Sequence, residues 1–107
     1  MLAYISGKIT GDPQFRKKFI NAEMVLMSIG YKVLNPTLLP EGLEYEQYLF
    51  LDFAMIDVSD LVVMLPDWRG SKGAKRERRY AAEIGKSVEY YESLIKKRLH
   101  ELKEETE

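Results

Sequence analysis

The sequence of 107 residues contains no cysteine and a single histidine, His100. Without cysteine the chain can form no disulfide and offers no thiolate ligand, and one histidine cannot build a His-based metal site within one chain. Long apolar runs are also missing, because no stretch approaches the roughly 20 apolar residues of a membrane span and the start MLAYISGKITG is too short for a signal peptide. These absences favour a cytoplasmic protein with no membrane partner.

An excess of one charge sign is absent too. Sixteen Lys and Arg residues nearly balance 17 Asp and Glu residues, which gives a formal net charge of −1. Dedicated nucleic-acid-coating proteins are usually strongly basic overall, so this balance argues against nucleic acid as a partner. The length suits one domain with a single core of two or three layers.

Short apolar runs alternate along the chain with segments of helical periodicity. The apolar runs predict four strands, at residues 2–6, 31–34, 61–65 and 87–91. The periodic segments predict four helices, at residues 12–29, 45–58, 71–84 and from 92 to a fraying end at 107. We expect Asp12 to cap the first helix, with Pro13 at its first position. The second helix is apolar nearly all round, which predicts burial on two sides and a homodimer or higher homo-oligomer.

This alternation predicts an α/β protein with a flavodoxin- or Rossmann-like three-layer fold. The sheet should be parallel, with four to five strands, within a domain at residues 1–91; residues 92–107 would add an amphipathic helix. Ligands in such folds bind beyond the carboxyl ends of the strands. Here those ends are Ser6 to Lys8, Asn35 to Pro36, and Pro66 to Ser71.

The loop after the first strand, Gly7 to Gly11 (GKITG), is a candidate anion site. Neither GxGxxG nor GxxxxGK[ST] occurs in the chain. Even so, a strand-to-helix loop offers backbone amides and a helix N-terminus, both of which favour anions. Lys8 and Thr10 could add direct contacts to a phosphate. The alternative is a plain turn that needs two glycines.

Residues 69–79 carry six Lys or Arg residues and a single acid, Glu77. At helical spacing, Ala74, Glu77 and Ala81 form one stripe, whereas the basic residues lie mostly to the side or opposite. Glu77 thus falls on the sheet-facing side, where an acid costs free energy unless it is paired or lines a cavity. The alternative is a partly exposed glutamate paired with Arg78 or a nearby lysine. Most of the positive charge is typical of a solvated helix face.

Asp52 raises the same question on the second helix. Its neighbours three and four residues away are all apolar or aromatic, namely Tyr48, Leu49, Met55 and Ile56. A carboxylate in that position is either hydrogen-bonded structure or a site residue with a perturbed pKa. Two inward carboxylates that open toward the strand ends would suit glycosidic-bond chemistry, in which one attacks the anomeric carbon and the other acts as an acid.

Two aromatic residues near the strand ends are ambiguous. Tyr4 lies two residues before the end of the first strand, where its phenol could reach a carboxylate in a cleft. Trp68 follows the third strand and could stack on a base, although covering the core is the simpler role for a loop tryptophan.

Taken together, these residues resemble the nucleoside 2-deoxyribosyltransferase-like superfamily, and especially a branch of short proteins within it. The shared motifs are a YIxGxITG start, a VxNP second strand and a core D-x7-D-x4-LPxW-x2-S-x-GA-x2-E. They stand here as Tyr4 to Gly11, Val33 to Pro36, and Asp52 to Glu77. The resemblance spans residues 1 to 90.

The resemblance implies roles for individual residues. In characterised relatives, a glutamate that follows a Ser-x-Gly segment is the nucleophile, and it corresponds to Glu77. The aspartate that handles the departing base corresponds to Asp52, and the tyrosine that orients the nucleophile corresponds to Tyr4. In the nucleotide-cleaving members, loop residues and the serine hold a 5′-phosphate. The positions predicted to bind substrate or phosphate are Gly7, Lys8, Thr10, Ser71, Trp68 and Asn35.

The implied activity is cleavage or transfer of the N-glycosidic bond of a 2′-deoxynucleoside or its 5′-monophosphate. The reaction would pass through a covalent glycosyl-glutamate intermediate and needs no metal or other cofactor. Two alternatives stay open. One is a non-catalytic nucleotide-binding or sensing module of the same fold, and the other is an interaction protein that contacts nucleic acid through the basic helix.

Overall fold

The computed structural model describes residues 1–106. Its four strands are β1 (Leu2–Ser6), β2 (Lys32–Leu34), β3 (Leu61–Met64) and β4 (Ser87–Tyr90). Its four α-helices are α1 (Phe15–Ser28), α2 (Tyr45–Val58), α3 (Lys72–Glu83) and α4 (Tyr91–Thr106). Short 3-10 helices follow β2 and β3, at Pro36–Leu38 and Trp68–Gly70. Each strand lies within its predicted range, and α2 has the predicted bounds.

The four strands form one parallel sheet in the order β2-β1-β3-β4. Each connection between them contains a helix, as parallel pairing requires. The order places a topological switch point between β1 and β3, the arrangement of flavodoxin-like folds. The predicted α/β class and flavodoxin-like architecture are confirmed, with four strands.

Each face of the sheet is covered by a pair of helices, which gives three layers. Successive residues of a strand point to opposite faces. One face of β1 and β3 packs with residues of α1 and α4, in a core cluster that includes Ala3, Ile5, Val63, Phe19, Leu26 and Leu94. The other face packs with residues of α2 and α3, in a second cluster that includes Tyr4, Val62, Met64, Ile56, Ala74 and Ala81. The boundary predicted at residue 91 and the fraying of the last helix stay predictions, and Glu107 lies outside the described residues.

The start of α1 differs from the prediction. The helix begins at Phe15 with Gln14 as its N-cap, whereas Asp12 was predicted to cap it. The Asp12 carboxylate instead accepts a hydrogen bond from Gln14 N at 2.9 Å, and Asp12 N donates to Ile9 O at 3.2 Å. Asp-Pro is as well suited to a turn as to a helix start, and here it forms a turn.

In the single chain, α2 covers the sheet with one face and leaves apolar side chains in solvent. Ile56 is its buried residue, whereas Phe50 is 74% exposed and Val58 is 67% exposed. The subunit interface predicted for this helix stays a prediction. Within residues 1–106, no helix combines the length and the apolar character needed to cross a bilayer.

Gly7 allows β1 and the segment after β3 to approach closely. A methyl group added at Gly7 would lie 2.9 Å from Leu65 Cδ1 and 3.0 Å from Leu65 Cβ. The first distance is shorter than real Cβ contacts and the second is tighter than most of them, and Leu65 has little room to move because it is fully buried. The absence of a side chain at Gly7 is therefore a packing requirement at the end of the central strand.

We predict that Gly7→Ala lowers the free energy of unfolding by about 1–3 kcal/mol, because it overpacks the core. Urea denaturation would measure the loss. Gly73→Ala is the matched control, since its methyl group would meet only Ser71 Oγ at 3.8 Å. In a helix that change should cost nothing and can add up to about 1 kcal/mol. Equal stability of Gly7→Ala and the parent chain would contradict the prediction.

Candidate active site

A cleft of about 740 Å³ opens at the carboxyl ends of the strands, next to the switch point. Its walls come from the loop after β1, the start of α1, the segment between β2 and α2, α2 itself, and the first turns of α3. The lining residues used below are Gly7, Thr10, Phe15, Arg16, Tyr45, Tyr48, Asp52, Ser71, Lys72, Arg76 and Glu77. A volume of this size is typical of sites for small organic ligands.

Glu77 is held at the floor of the cleft by the central strand. Its carboxylate accepts a hydrogen bond from Tyr4 Oη at 2.7 Å on one oxygen and from Ser6 Oγ at 2.7 Å on the other. Both donors are fully buried, and Glu77 is 8% exposed. The predicted inward orientation of Glu77 and its contact with Tyr4 are therefore present in the structure.

Ser6 is a site residue that the sequence analysis missed. A signal existed, because residues i and i+2 of a strand point to the same face. Once Tyr4 was placed toward the cleft, Ser6 had to share that direction. Serine at the end of a buried strand is common and does not by itself signal a site. Only the shared side of residues i and i+2 could have identified Ser6.

Asp52 faces Glu77 from α2. Its Oδ1 atom is buried and meets no donor among residues 1–106. Burial, followed by the nearby Glu77 charge, raises the pKa of Asp52 from 3.8 to about 8. A carboxyl group can donate a hydrogen bond to a neighbouring carboxylate only when it carries a proton, and the raised pKa of Asp52 favours that proton.

The two hydroxyl donors favour the ionised form of Glu77, and so favour a proton on Asp52. Burial raises the pKa of Glu77, but hydrogen bonds from Ser6 and Tyr4 to its oxygens oppose that rise. Among residues 1–106, no hydroxyl group donates to Asp52. The pKa of Glu77 stays above its ordinary value, because burial outweighs these hydrogen bonds. The donors on Glu77 nevertheless favour Asp52 as the group of the pair that holds a proton. Burial and the Glu77 charge raise the pKa of Tyr4 well above 10, so its phenol stays a neutral donor.

Three of the residues predicted to bind phosphate lie in the wall of the cleft, namely Gly7, Thr10 and Ser71. Ser71 caps α3, because its Oγ atom accepts a hydrogen bond from Ala74 N at 3.1 Å. The first amides of a helix have no carbonyl partner within it, and the residues at this end of α3, Lys72 to Ala74, line the cleft. This end of α3 is thus suited to an anion.

The other three predicted binding residues lie outside the lining. Lys8 donates its backbone N–H to Asp67 Oδ1 at 3.1 Å, and its side chain runs past Gly70. The Asn35 carboxamide oxygen accepts hydrogen bonds from Thr37 N at 2.9 Å and Thr37 Oγ1 at 2.7 Å. Trp68 packs near Tyr90 at the far side of α3. Binding roles for these three stay predictions.

Three cations at the cleft were not predicted as site residues. Arg16 forms an ion pair with Glu41 across the opening. Lys72 and Arg76 lie on the first two turns of α3, and the Arg76 guanidinium lies 5.6 Å from the Tyr45 ring centre. The cleft thus combines an acidic floor with a basic rim. Among residues 1–106, no group of three His, Asp or Glu side chains could hold a metal ion.

The fold and this site define a class: a small flavodoxin-like α/β protein with paired carboxyl groups in its switch-point cleft. The chain belongs to the DUF4406 family, a domain of unknown function whose profile matches residues 1–90. None of the curated proteins matches the chain.

One solved structure with a similar fold is a 2-deoxyribosyltransferase from the psychrotolerant bacterium Bacillus psychrosaccharolyticus. The match has a TM-score of 0.67 and 20% sequence identity, and it covers 84% of this chain and 71% of that chain. That enzyme is described as a biocatalyst for the synthesis of nucleosides. The similarity confirms the fold that the superfamily resemblance implied. The particular motifs and residue roles stay predictions.

The raised pKa of Asp52 predicts how the stability of the protein depends on pH. The folded-state pKa of about 8 exceeds the ordinary value of 3.8, so the folded chain holds a proton that unfolding releases. The stabilisation is complete below about pH 4 and is lost as the pH rises toward 8. We expect Asp52→Asn to flatten this decline and to be more stable than the parent chain at pH 8.5. The gain should be about 1–2 kcal/mol, less than the full pKa shift implies because solvent reaches the cleft.

Urea denaturation between pH 5 and pH 8.5 would measure this effect. Glu83→Gln is the control, since it removes an exposed carboxylate from α3. If Asp52→Asn and the parent chain lost stability in parallel as the pH rose, Asp52 would not be the proton-holding group.

Proposed function

We propose that this protein cleaves or transfers the N-glycosidic bond of a 2′-deoxynucleoside or its 5′-monophosphate. The observation that supports this most directly is the unequal pair of carboxyl groups in the cleft. Glu77 accepts hydrogen bonds from two hydroxyl groups, which favour its ionised form, whereas the pKa of Asp52 is raised to about 8, which favours its protonated form. A nucleophile beside an acid is what displacement of a nucleobase requires.

In the first step, a carboxylate oxygen of Glu77 attacks C1′ of the sugar. The C1′–O bond forms as the C1′–N bond breaks, and the electron pair of the broken bond passes to the base nitrogen. Asp52 gives its proton to the base, so the base leaves neutral. Tyr4 and Ser6 hold Glu77 throughout, which removes the entropy cost of aligning it.

In the second step, the ionised Asp52 acts as a base. It takes a proton from water as the water oxygen attacks C1′, and the C1′–O bond to Glu77 breaks. The sugar is released, Glu77 is again a carboxylate, and Asp52 is again protonated. A second nucleobase in place of water would give transfer by the same path. Two displacements at C1′ retain its configuration.

The walls of the cleft supply recognition for such a substrate. Phe15, Tyr45 and Tyr48 offer aromatic surface against which a base can pack. Tyr48 also fixes the segment before α2, because its hydroxyl donates to Pro40 O at 2.6 Å. At the other end, the N-terminus of α3 with Ser71 is suited to a 5′-phosphate.

The first test is release of free base from a panel of 2′-deoxynucleosides and their 5′-monophosphates, followed by chromatography. The parent chain should release base, and Glu77→Gln should lower kcat by about a thousandfold or more, because the nucleophile is lost. Glu83→Gln, on the same helix but exposed, should match the parent chain. If the parent chain releases no base, or if Glu77→Gln releases as much base as the parent chain, the proposal is wrong. Binding without any release would point to the sensing module instead.

A second test addresses Asp52 as the acid. Asp52→Asn should slow release of a purine base by about 10²- to 10⁴-fold, the usual contribution of a general acid. It should slow release of 4-nitrophenolate from the matching 2-deoxyriboside far less, because that group leaves as an anion. The ratio of the two kcat/KM values measures the difference. If Asp52→Asn lowered kcat/KM equally on both substrates, Asp52 would not be the proton donor.

A further inference from the structure

The outward side of α3 and the turn before it form a strongly basic surface. We call it the basic α3 face, and it consists of Arg69, Lys72, Lys75, Arg76, Arg78 and Arg79, all exposed. These are six of the 16 basic residues of a chain with net charge −1, so the rest of the molecule is net acidic. The single acid in this stretch, Glu77, is buried and faces the sheet.

None of the six cations forms an ion pair within residues 1–106. The ion pairs of the described chain involve Arg16, Lys18, Arg98 and His100 instead. The positive charge of the basic α3 face is therefore open to a partner outside the chain.

This arrangement opposes the stability of the helix. Lys72 with Arg76 and Lys75 with Arg79 are like charges four residues apart, each pair costing about 0.2–0.5 kcal/mol. The first turn of α3 contains no acid, and cations there oppose the helix dipole. A bound polyanion would remove both penalties. A helix face that only contacts solvent has no reason to carry cations at the helix N-terminus, where they interact unfavourably with the helix dipole.

Aromatic rings lie at one edge of the same face. The guanidinium groups of Arg69 and Arg78 lie 5.0 Å and 4.9 Å from the Trp68 ring. The Tyr90 ring lies 6.0 Å from the Trp68 ring, and Arg78 Nε donates to Tyr90 Oη at 3.0 Å. Aromatic rings beside arginines are what stacking of exposed bases uses.

The basic α3 face is longer than one phosphate group needs and is continuous with the cleft. From Lys72 to Arg79 the helix rises about 10 Å, which exceeds the reach of a single phosphate. Lys72 and Arg76 belong both to this face and to the cleft wall. A strand that follows the face would therefore pass the opening above Glu77.

We propose that the basic α3 face binds the sugar-phosphate backbone of a single-stranded nucleic acid, one nucleotide of which enters the cleft. The second half of this statement rests on the proposed function. A single strand fits better than a duplex, since its bases are free to stack on Trp68 and its C1′ atoms are accessible. The near-neutral net charge argued against nucleic acid. Screening over about 8 Å at physiological salt nevertheless makes the local charge of the face decisive.

The chain contains one tryptophan, and it lies at the edge of this face, so its fluorescence can report binding there. We would titrate a 12-residue deoxythymidine oligonucleotide into the parent chain and into Glu77→Gln, in which turnover cannot alter the result. We expect quenching and a dissociation constant that rises steeply with salt. Lys75→Gln combined with Arg79→Gln should lower the slope of log affinity against log salt by about 1.4, or about 0.7 per cation. Neither residue lines the cleft.

The control is Lys96→Gln combined with Lys97→Gln, two exposed lysines of α4, which should leave the slope unchanged. Absence of quenching, or an equal loss of slope in the control, would overturn the proposal. Equal competition by a 12-residue polyglutamate would also overturn it, in favour of an acidic protein segment. Tighter binding of a duplex would overturn the choice of a single strand.

The outcomes separate this proposal from the proposed function. If oligonucleotide binding holds but no substrate releases base, only the chemistry fails. If Lys75→Gln with Arg79→Gln turns over free deoxynucleosides like the parent chain but shows undiminished oligonucleotide binding, only the basic α3 face fails. Loss of base release from an oligonucleotide in that variant, with free deoxynucleoside turnover kept, supports both.

Discussion

The site depends on two hydrogen bonds that tie a buried carboxylate to the central strand. Tyr4 and Ser6 of β1 donate to the two oxygens of Glu77, which belongs to α3. An ionised carboxylate removed from water costs several kcal/mol unless it is paired or hydrogen-bonded, and these two donors lower that cost at Glu77. Because β1 is flanked by β2 and β3, the donors are as fixed as the sheet itself. The same bonds that make the buried charge tolerable also aim it at the cleft.

The same two bonds account for the difference between Glu77 and Asp52. Both carboxyl groups lie in one cleft and each raises the cost of ionising the other. Within the described residues, hydroxyl groups donate to Glu77 but not to Asp52, and the pKa of Asp52 is raised to about 8. One environment therefore favours the ionised form at Glu77 and the protonated form at Asp52, side by side. Pairs of carboxyl groups separated in this way are what acid–base assignments in enzymes rest on.

The fold could be predicted from the sequence because it depends on local patterns of apolar residues. Buried parallel strands such as LVVM are continuous apolar runs, and alternation with periodic helices leaves few other topologies. The stripe of Ala74, Glu77 and Ala81 also placed Glu77 inward. What could not be derived was the meeting of α2 with α3, since Asp52 and Glu77 belong to different helices and their contact depends on how both pack on the sheet. The predicted start of α1 was wrong for a different reason, because Asp12-Pro13 suits a turn as well as a helix start.

The two faces of α3 follow from one requirement of packing. The 2.7 Å hydrogen bonds from β1 to Glu77 require the helix to lie close to the sheet, and fully buried Ala74 and Ala81 on either side of Glu77 permit that approach. Larger side chains at those positions would lift Glu77 away from Tyr4 and Ser6. Long cationic side chains are consequently excluded from the inward stripe and must lie outside. That exclusion explains their direction but not their number or their lack of acidic partners, because packing against the sheet places no demand on the charge of the solvent face.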